Sequence, residues 1–231
     1  WMAAAVAAIP LPGVRKMHIL FPAQAHTIPT GSRGRPTGSR FGEMLVWTLL
    51  LLLMNLPLWH GEVATLFVFD LDAVLQGELW RMFTYPLVHL SFYHLVLDGA
   101  AFLLLWDGLD EQGKGKRLLY LLFCGFGSLL LALALSPVAR THGLSGLSGI
   151  AHGLTAVTAL ELLHRHPRGS ILFRTGLLLL AVIIGKSALE MASGQALFAA
   201  LHLGAVGVPV AAAHGGGGLG GLLGFVLVQF P

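Results

Sequence analysis

Six apolar segments, of which the fourth and fifth are short for a full membrane span, follow one another through most of the chain. Crossing the hydrocarbon core takes about 20 mostly apolar residues in a helix, because a helix satisfies its own backbone hydrogen bonds where no water is present. The chain is 55% hydrophobic and 11% charged, whereas a soluble domain is about one quarter charged. We therefore predict an all-α membrane protein with six transmembrane helices, at approximately 44–59, 82–106, 118–136, 147–163, 171–184 and 206–228.

The basic residues are unevenly distributed between the two sides that these segments define. With the N-terminus inside, eleven Lys and Arg residues fall on the cytoplasmic side and three, Arg81, Arg140 and Lys186, on the other. Because positively charged loops stay in the cytoplasm, we expect both termini there. The basic residues form no stripe interleaved with aromatics, so the expected surroundings are a lipid bilayer and not nucleic acid.

Two regions follow from this pattern: a disordered, basic N-terminal tail over residues 1–43 and a six-span domain over residues 44–231. The single cysteine, Cys124, excludes an intrachain disulfide and a cysteine-based metal site.

The sequence GLSGLSGIAHG, residues 143–153, lies where a loop enters the fourth apolar segment. Ser145 and Ser148 are each flanked by glycines, which leave a hydroxyl uncovered and let another helix approach closely. The unpaired N–H groups at a helix N-terminus suit a developing oxyanion. A base for such a serine is available as His214 in the last segment. These features predict an intramembrane serine protease that needs no metal or other cofactor.

The second apolar segment carries a polar cluster of His89, His94 and Asp98. His94 and Asp98 are four residues apart and share one helical face. Ionisable groups in a span are costly and usually face the protein interior. We therefore expect these side chains to face the protein interior, with His89 in a structural role and Asp98 partnering His94 or His89.

Together these residues resemble the rhomboid intramembrane serine proteases in their compact six-span form. The resemblance rests on Trp80-Arg81 before the second span, GLSG opening the fourth, and His214 followed by spaced glycines in the sixth. It implies a catalytic dyad of Ser148 and His214. The other site residues that it implies are His94, Asp98, Gly146 and His152 around the oxyanion, and Gly149, Gly153, Gly217 and Gly221 in close helix packing.

The form GLSGIAHG at residues 146–153 is most similar to the rhombosortase branch of that family. This similarity implies membrane-anchored protein substrates that carry a C-terminal Gly-Gly sorting tail, a hydrophobic helix and a basic end. It also implies the bacterial inner membrane, with the active site open to the periplasm.

Three features depart from the family pattern. Ser145 is a second glycine-flanked serine, but Ser148 is preferred because only it has His152-Gly153 at the spacing of the branch. Asp98 stands where the family has an asparagine that donates to the oxyanion; an ionised carboxylate cannot donate and repels it, whereas a protonated one can donate. The tract Gly215–Gly218 is expected to loosen the last helix.

Other functions fit parts of the sequence. A non-catalytic rhomboid-like protein that binds transmembrane clients is the alternative from another class, and a conventional rhomboid with other single-span substrates is the nearer one. A transporter is disfavoured because the spans show no internal repeat. A metalloprotease using His89, His94, His152 and His214 is disfavoured because no His-Glu-x-x-His spacing occurs. Glu161 and Glu190 have no partner that the sequence identifies.

Overall fold

The computed structural model describes residues 37–197 and 203–230, and this part of the chain is helical apart from loops and one isolated antiparallel bridge. Its α-helices, in chain order, are α1 (Thr37–Met54), α2 (Leu71–Leu75), α3 (Arg81–Thr84), α4 (Phe92–Gly108), α5 (Lys114–Leu135), α6 (Pro137–Thr141), α7 (Ser148–Arg165), α8 (Ile171–Ser193) and α9 (Ala211–Gln229). Short 3-10 helices at Leu56–His60, Thr65–Phe67 and Tyr85–Leu87 lie in the connections.

Several of these helices are long and apolar enough to cross a membrane. In the described ranges α5, α8 and α9 qualify by length and composition, and the bent pair Arg81–Leu87 plus Phe92–Gly108 brings the number to four if it forms one span. The prediction of an all-helical, multi-pass membrane protein is thus confirmed. The count of six spans and the cytoplasmic position of both termini stay predictions.

The second and fifth predicted spans have different ends in the structure. The second is broken: the segment Arg81–Leu87 meets α4 at 98° across residues 88–91, and Ser91 starts the new helix by accepting the N–H of His94 at 3.1 Å. The fifth continues past residue 184, where the prediction ended it, to Ser193, and stops at Gly194 in the left-handed region (φ 68°). Lys186 and Glu190 therefore belong to a membrane-length helix.

The first helix begins earlier than the sequence suggested. Residues 37–43, which the prediction assigned to the tail, are the first part of α1. Polar contacts fix this end: an Arg40 amino group donates to the carbonyl of Leu109 at 2.7 Å, and Glu43 pairs with the buried Arg117. The rest of the predicted tail, residues 1–36, lies outside the described residues.

Helix α9 packs closely on α5 and α7 through its glycines. A Cβ on Gly217 would overlap the carbonyl of Gly149, and a Cβ on Gly221 would overlap the carbonyl of Gly153. The expected loosening at Gly215–Gly218 is wrong, because this tract lies inside one continuous helix. Backbone-to-backbone packing, which glycine permits, replaces the side-chain contacts that would otherwise hold the helix in place.

The segment before α3 is tied to the loop that leads into α7. Arg81 binds the segment before α3: its Nη1 donates to the carbonyls of Thr65 at 2.6 Å and Val68 at 2.7 Å. Phe69 and Leu144 form the antiparallel bridge, each N–H donating to the other carbonyl at 3.0 and 3.1 Å. These bonds fix the loop that positions the first residue of α7.

Candidate active site

Ser148 is the first residue of α7. The loop before it contains a position, Gly146, that only glycine fits. Gly146 has a φ of 96°, and a Cβ there would come within 2.8 Å of His94 Nε2 and 2.9 Å of Asp98 Oδ2. Its N–H donates to the carbonyl of Tyr85 at 3.1 Å, which holds the loop against the segment before α4. The first N–H groups of a helix have no carbonyl four residues earlier to bind. Ser148 therefore lies at the electropositive end of α7.

His214 lies in the first turn of α9 and bonds two side chains with its two ring nitrogens. Its Nε2 is 3.2 Å from Oγ of Ser148, and its Nδ1 is 2.7 Å from Oε2 of Glu190. A carboxylate only accepts hydrogen bonds, so Nδ1 carries the proton and Nε2 offers its lone pair to the hydroxyl. Because both nitrogens are engaged, the imidazole of His214 is paired with Ser148 and has no nitrogen left for Ser145.

Glu190 is the main residue of this site that the sequence analysis did not place. It is 0% exposed, and its Oε1 accepts from Lys186 Nζ at 2.6 Å and from the Leu197 N–H at 2.8 Å. The available signal was two opposite charges four residues apart at the end of an apolar segment, a spacing that makes an ion pair on one helical face. The predicted fifth span ends at residue 184, before both of these residues.

His152 lies one turn after Ser148 and stacks on His214, with ring centroids 4.1 Å apart and planes inclined by 4°. Its Nδ1–H donates to the carbonyl of Ser148 at 2.7 Å, since a carbonyl oxygen can only accept. Its Nε2 then accepts from Lys186 Nζ at 2.8 Å. His152 thus links the start of α7 to the charged pair on α8.

The polar cluster on α4 lies beside the same loop. His94 Nε2 is 3.2 Å from Oδ2 of Asp98, and His89 Nε2 is 3.8 Å from the same oxygen. The Nδ1 of His94 accepts from the Leu90 N–H at 3.4 Å, so in the neutral ring the proton is on Nε2. Asp98 thus forms ion-pair contacts with both histidines, and Gly146, two residues before Ser148, lies directly against His94 and Asp98.

One group of side chains in the described residues has the spacing of a metal site. The ligand atoms of His152, Glu190 and His214 lie within 4.8 Å of one another. Lys186 Nζ already donates to two of these ligands, so an ammonium group supplies the positive charge that a metal ion would bring. Of the four histidines considered for a metalloprotease, this group contains two.

A cavity of about 690 Å³ opens beside the paired side chains. Ser148 and His214 line it together with Asp98, and much of its wall is apolar, including Leu90 and Val208. An apolar cavity with a few convergent polar groups is the usual form of a binding site. The hydroxyl of Ser148 therefore lies at the wall of a largely apolar space.

The fold and this arrangement define a multi-pass membrane protein with a hydrogen-bonded serine and histidine inside its helical bundle. Residues 76–230 match the family model described as the Rhomboid domain, which is more than half of the chain. The chain therefore belongs to the rhomboid family. Members of this family are generally intramembrane serine proteases and act on membrane-protein substrates.

Proposed function

We propose that this protein is an intramembrane serine endopeptidase in which Ser148 is the nucleophile and His214 the general base. The observation that carries the proposal is the 3.2 Å contact between Oγ of Ser148 and Nε2 of His214, with the opposite nitrogen of the ring bonded to a carboxylate. A nucleophile within reach of a base that a third group orients is the arrangement that activates a hydroxyl.

In the proposed reaction, Oγ attacks the carbonyl carbon of the scissile peptide while its proton passes to Nε2 of His214. The tetrahedral intermediate collapses to an ester on Ser148, and the imidazolium returns the proton to the leaving amine. Water then adds to the ester with His214 again as the base, which releases the acid and restores the hydroxyl.

The oxyanion of the intermediate would be stabilised at the start of α7. The backbone N–H of Ser148 is one donor, and the positive end of the helix adds to its effect. His94 is the proposed second donor through Nε2–H, which lies 3.2 Å from Asp98 in the resting site and must turn from it to reach the oxyanion. Asp98 therefore competes for this donor.

The proposed substrates are single-span membrane proteins, most specifically those with a C-terminal Gly-Gly sorting tail. This finer assignment is supported by the similarity of residues 146–153 to the rhombosortase branch. The charge asymmetry of the loops supports a site that opens to the periplasmic side of a bacterial inner membrane, with both termini in the cytoplasm.

Labelling with a fluorophosphonate tests the dyad. The purified protein in detergent is compared with Ser148→Ala, Ser145→Ala and His214→Ala, with folding checked by thermal unfolding. We expect the wild type and Ser145→Ala to label and the other two variants to lose at least about 99% of the labelling rate. Loss with Ser145→Ala alone would move the nucleophile to that residue and sink the proposal.

A tail reporter tests the substrate class. A periplasmic domain followed by Gly-Gly, a hydrophobic helix and a basic end is co-expressed with the wild type or with Ser148→Ala. The control reporter has Ala-Ala in place of Gly-Gly. Cleavage of the first reporter alone supports the sorting function, whereas equal cleavage of both indicates a conventional rhomboid. If a folded wild type neither labels nor cleaves, the chain is a non-catalytic protein that binds transmembrane clients.

A further inference from the structure

The carboxylate of Glu190 is held between three donors on three parts of the chain. His214 Nδ1 lies 2.7 Å from Oε2, while Lys186 Nζ and the Leu197 N–H lie 2.6 and 2.8 Å from Oε1. The side chain is 0% exposed. A buried charge is tolerated only when it is paired and hydrogen-bonded, and here both oxygens are. Lys186 thus compensates a carboxylate whose other oxygen is directed at the proposed base.

This geometry fixes two properties of His214. The carboxylate accepts from Nδ1–H, which keeps the lone pair of Nε2 on the side of Ser148. When Nε2 takes the proton of the hydroxyl, the ring becomes a cation beside an anion in a site of low dielectric, where their attraction is larger than in water. A neutral group at residue 190 would not supply the second effect, because it carries no charge to stabilise the imidazolium.

We propose that Glu190 completes a Ser148–His214–Glu190 triad, as the residue that positions His214 and stabilises the imidazolium, with Lys186 holding the carboxylate in its charged form. This inference rests on the proposed function of Ser148 and His214. The bond from Leu197 gives Glu190 a structural role too, since it anchors the chain that follows α8.

Glu190→Gln separates the two roles. The amide oxygen of glutamine still accepts from Leu197, so the anchoring bond is kept. The amide nitrogen faces His214 Nδ1 as a donor, which favours the tautomer with the proton on Nε2 and removes the base. Glu190→Gln also leaves the ammonium group of Lys186 without its anion. Lys186→Met, made in the wild type and in Glu190→Gln, controls for this effect. Glu190→Asp restores the charge on a shorter side chain.

The measurement is the phosphonylation rate with a fluorophosphonate, resolved into kinact and KI. In this reaction Oγ forms a bond to phosphorus, fluoride leaves, and His214 takes the proton of the hydroxyl. We expect Glu190→Gln and the double variant Glu190→Gln/Lys186→Met to lower kinact by about 100-fold or more, with KI changed by less than about threefold. The kinact of Glu190→Asp should be at least about tenfold higher than that of Glu190→Gln.

Glu161→Gln is the matched control. Glu161 is also a fully buried carboxylate, but it accepts from the backbone N–H groups of Asp110 and Glu111 at the other end of α7. The Glu161→Gln substitution should lower the unfolding temperature and leave kinact unchanged. If the Glu190→Gln/Lys186→Met variant labels within about threefold of Lys186→Met, the triad is wrong.

A second measurement does not depend on the folding of these variants. The 15N spectrum of histidine-labelled wild type should show the Nδ1–H tautomer at His214, assigned by the signal that His214→Ala removes. The Nε2–H tautomer at rest would overturn the triad. Failure of the wild type to label, or labelling that survives Ser148→Ala, would instead refute the proposed function itself.

Discussion

The imidazoles of His152 and His214 stack face to face, 4.1 Å between centroids and 4° between planes. His152 is held from both sides, by the carbonyl of Ser148 at Nδ1 and by Lys186 at Nε2. The stack therefore fixes the ring plane of the proposed base against the first turn of α7. The contribution of stacking to the reaction can be separated from that of the hydrogen bonds of His152, because a phenyl ring can stack on His214 but cannot accept from Lys186.

His152→Phe and His152→Ala test this support. The alanine variant removes the ring, and a ring pair is worth about 0.5–1.5 kcal/mol, so we expect a fluorophosphonate labelling rate about two- to tenfold below wild type. The phenylalanine variant keeps the ring and should label within about threefold of wild type. Both variants lose the acceptor of Lys186, so their difference reports the ring alone. Equal rates in the two variants would show that stacking has no part in the reaction.

Asp98→Asn should raise activity. Asp98 Oδ2 lies 3.2 Å from His94 Nε2, where a carboxylate competes for the donor and repels the oxyanion. An amide carries no charge and can donate through its nitrogen, so we expect labelling about three- to tenfold faster than wild type.

Asp107→Asn, at the other end of α4, controls for removal of one charge from the same helix and should leave the rate unchanged. A slower Asp98→Asn enzyme would mean that the carboxylate is needed to orient His94.

The parts of the fold that sequence predicts well are those that local physics determines. Helix α7 begins at Ser148, where the glycine-rich loop ends, and α5 and α9 follow from continuous apolar composition. Helix ends were less accurate where an ion pair or a cap decides them. The pair Lys186–Glu190 and the left-handed Gly194 extend α8 beyond the point where its apolar run stops.

The partners of Glu190 and Glu161 on other parts of the chain could not be predicted from sequence, because only the packing of the helices brings them together. Glu190 and His214 are 24 residues apart and meet only through the packing of α8 on α9. The same limit applies to Glu161, which binds the α4–α5 loop some 50 residues earlier. The glycine tract was misjudged for a related reason: intrinsic propensity disfavours glycine in a helix, but close packing on α5 and α7 needs it.

Glu161→Gln should destabilise the fold without affecting the chemistry. Its two oxygens accept from the N–H groups of Asp110 and Glu111 at 2.7 and 2.9 Å, and an amide can replace only one of these acceptors. A buried donor left without its partner costs about 1–3 kcal/mol, which thermal unfolding in detergent measures. Glu62→Gln, at an exposed position, should change stability by less than about 0.5 kcal/mol. An unchanged unfolding temperature in Glu161→Gln would show that the loop does not depend on this carboxylate.

Gly217→Ala and Gly218→Ala are neighbouring variants with opposite expected effects. A methyl group on Gly217 would overlap the carbonyl of Gly149, the residue after Ser148, and would push α9 away from α7. Overpacking of this kind costs about 1–3 kcal/mol or more, and it would also lengthen the 3.2 Å contact between Ser148 and His214. Gly217→Ala should therefore lower the unfolding temperature and abolish fluorophosphonate labelling.

At Gly218 an added Cβ meets no atom within 4 Å in the described residues, so alanine gains helix propensity at no steric cost. We expect Gly218→Ala to be up to about 1 kcal/mol more stable than wild type and to label at the wild-type rate. Because both variants add the same methyl group to the same turn of α9, a difference in their effects isolates the contact with α7. Labelling by Gly217→Ala at the wild-type rate would show that the α7–α9 separation does not control the reach of His214 to Ser148.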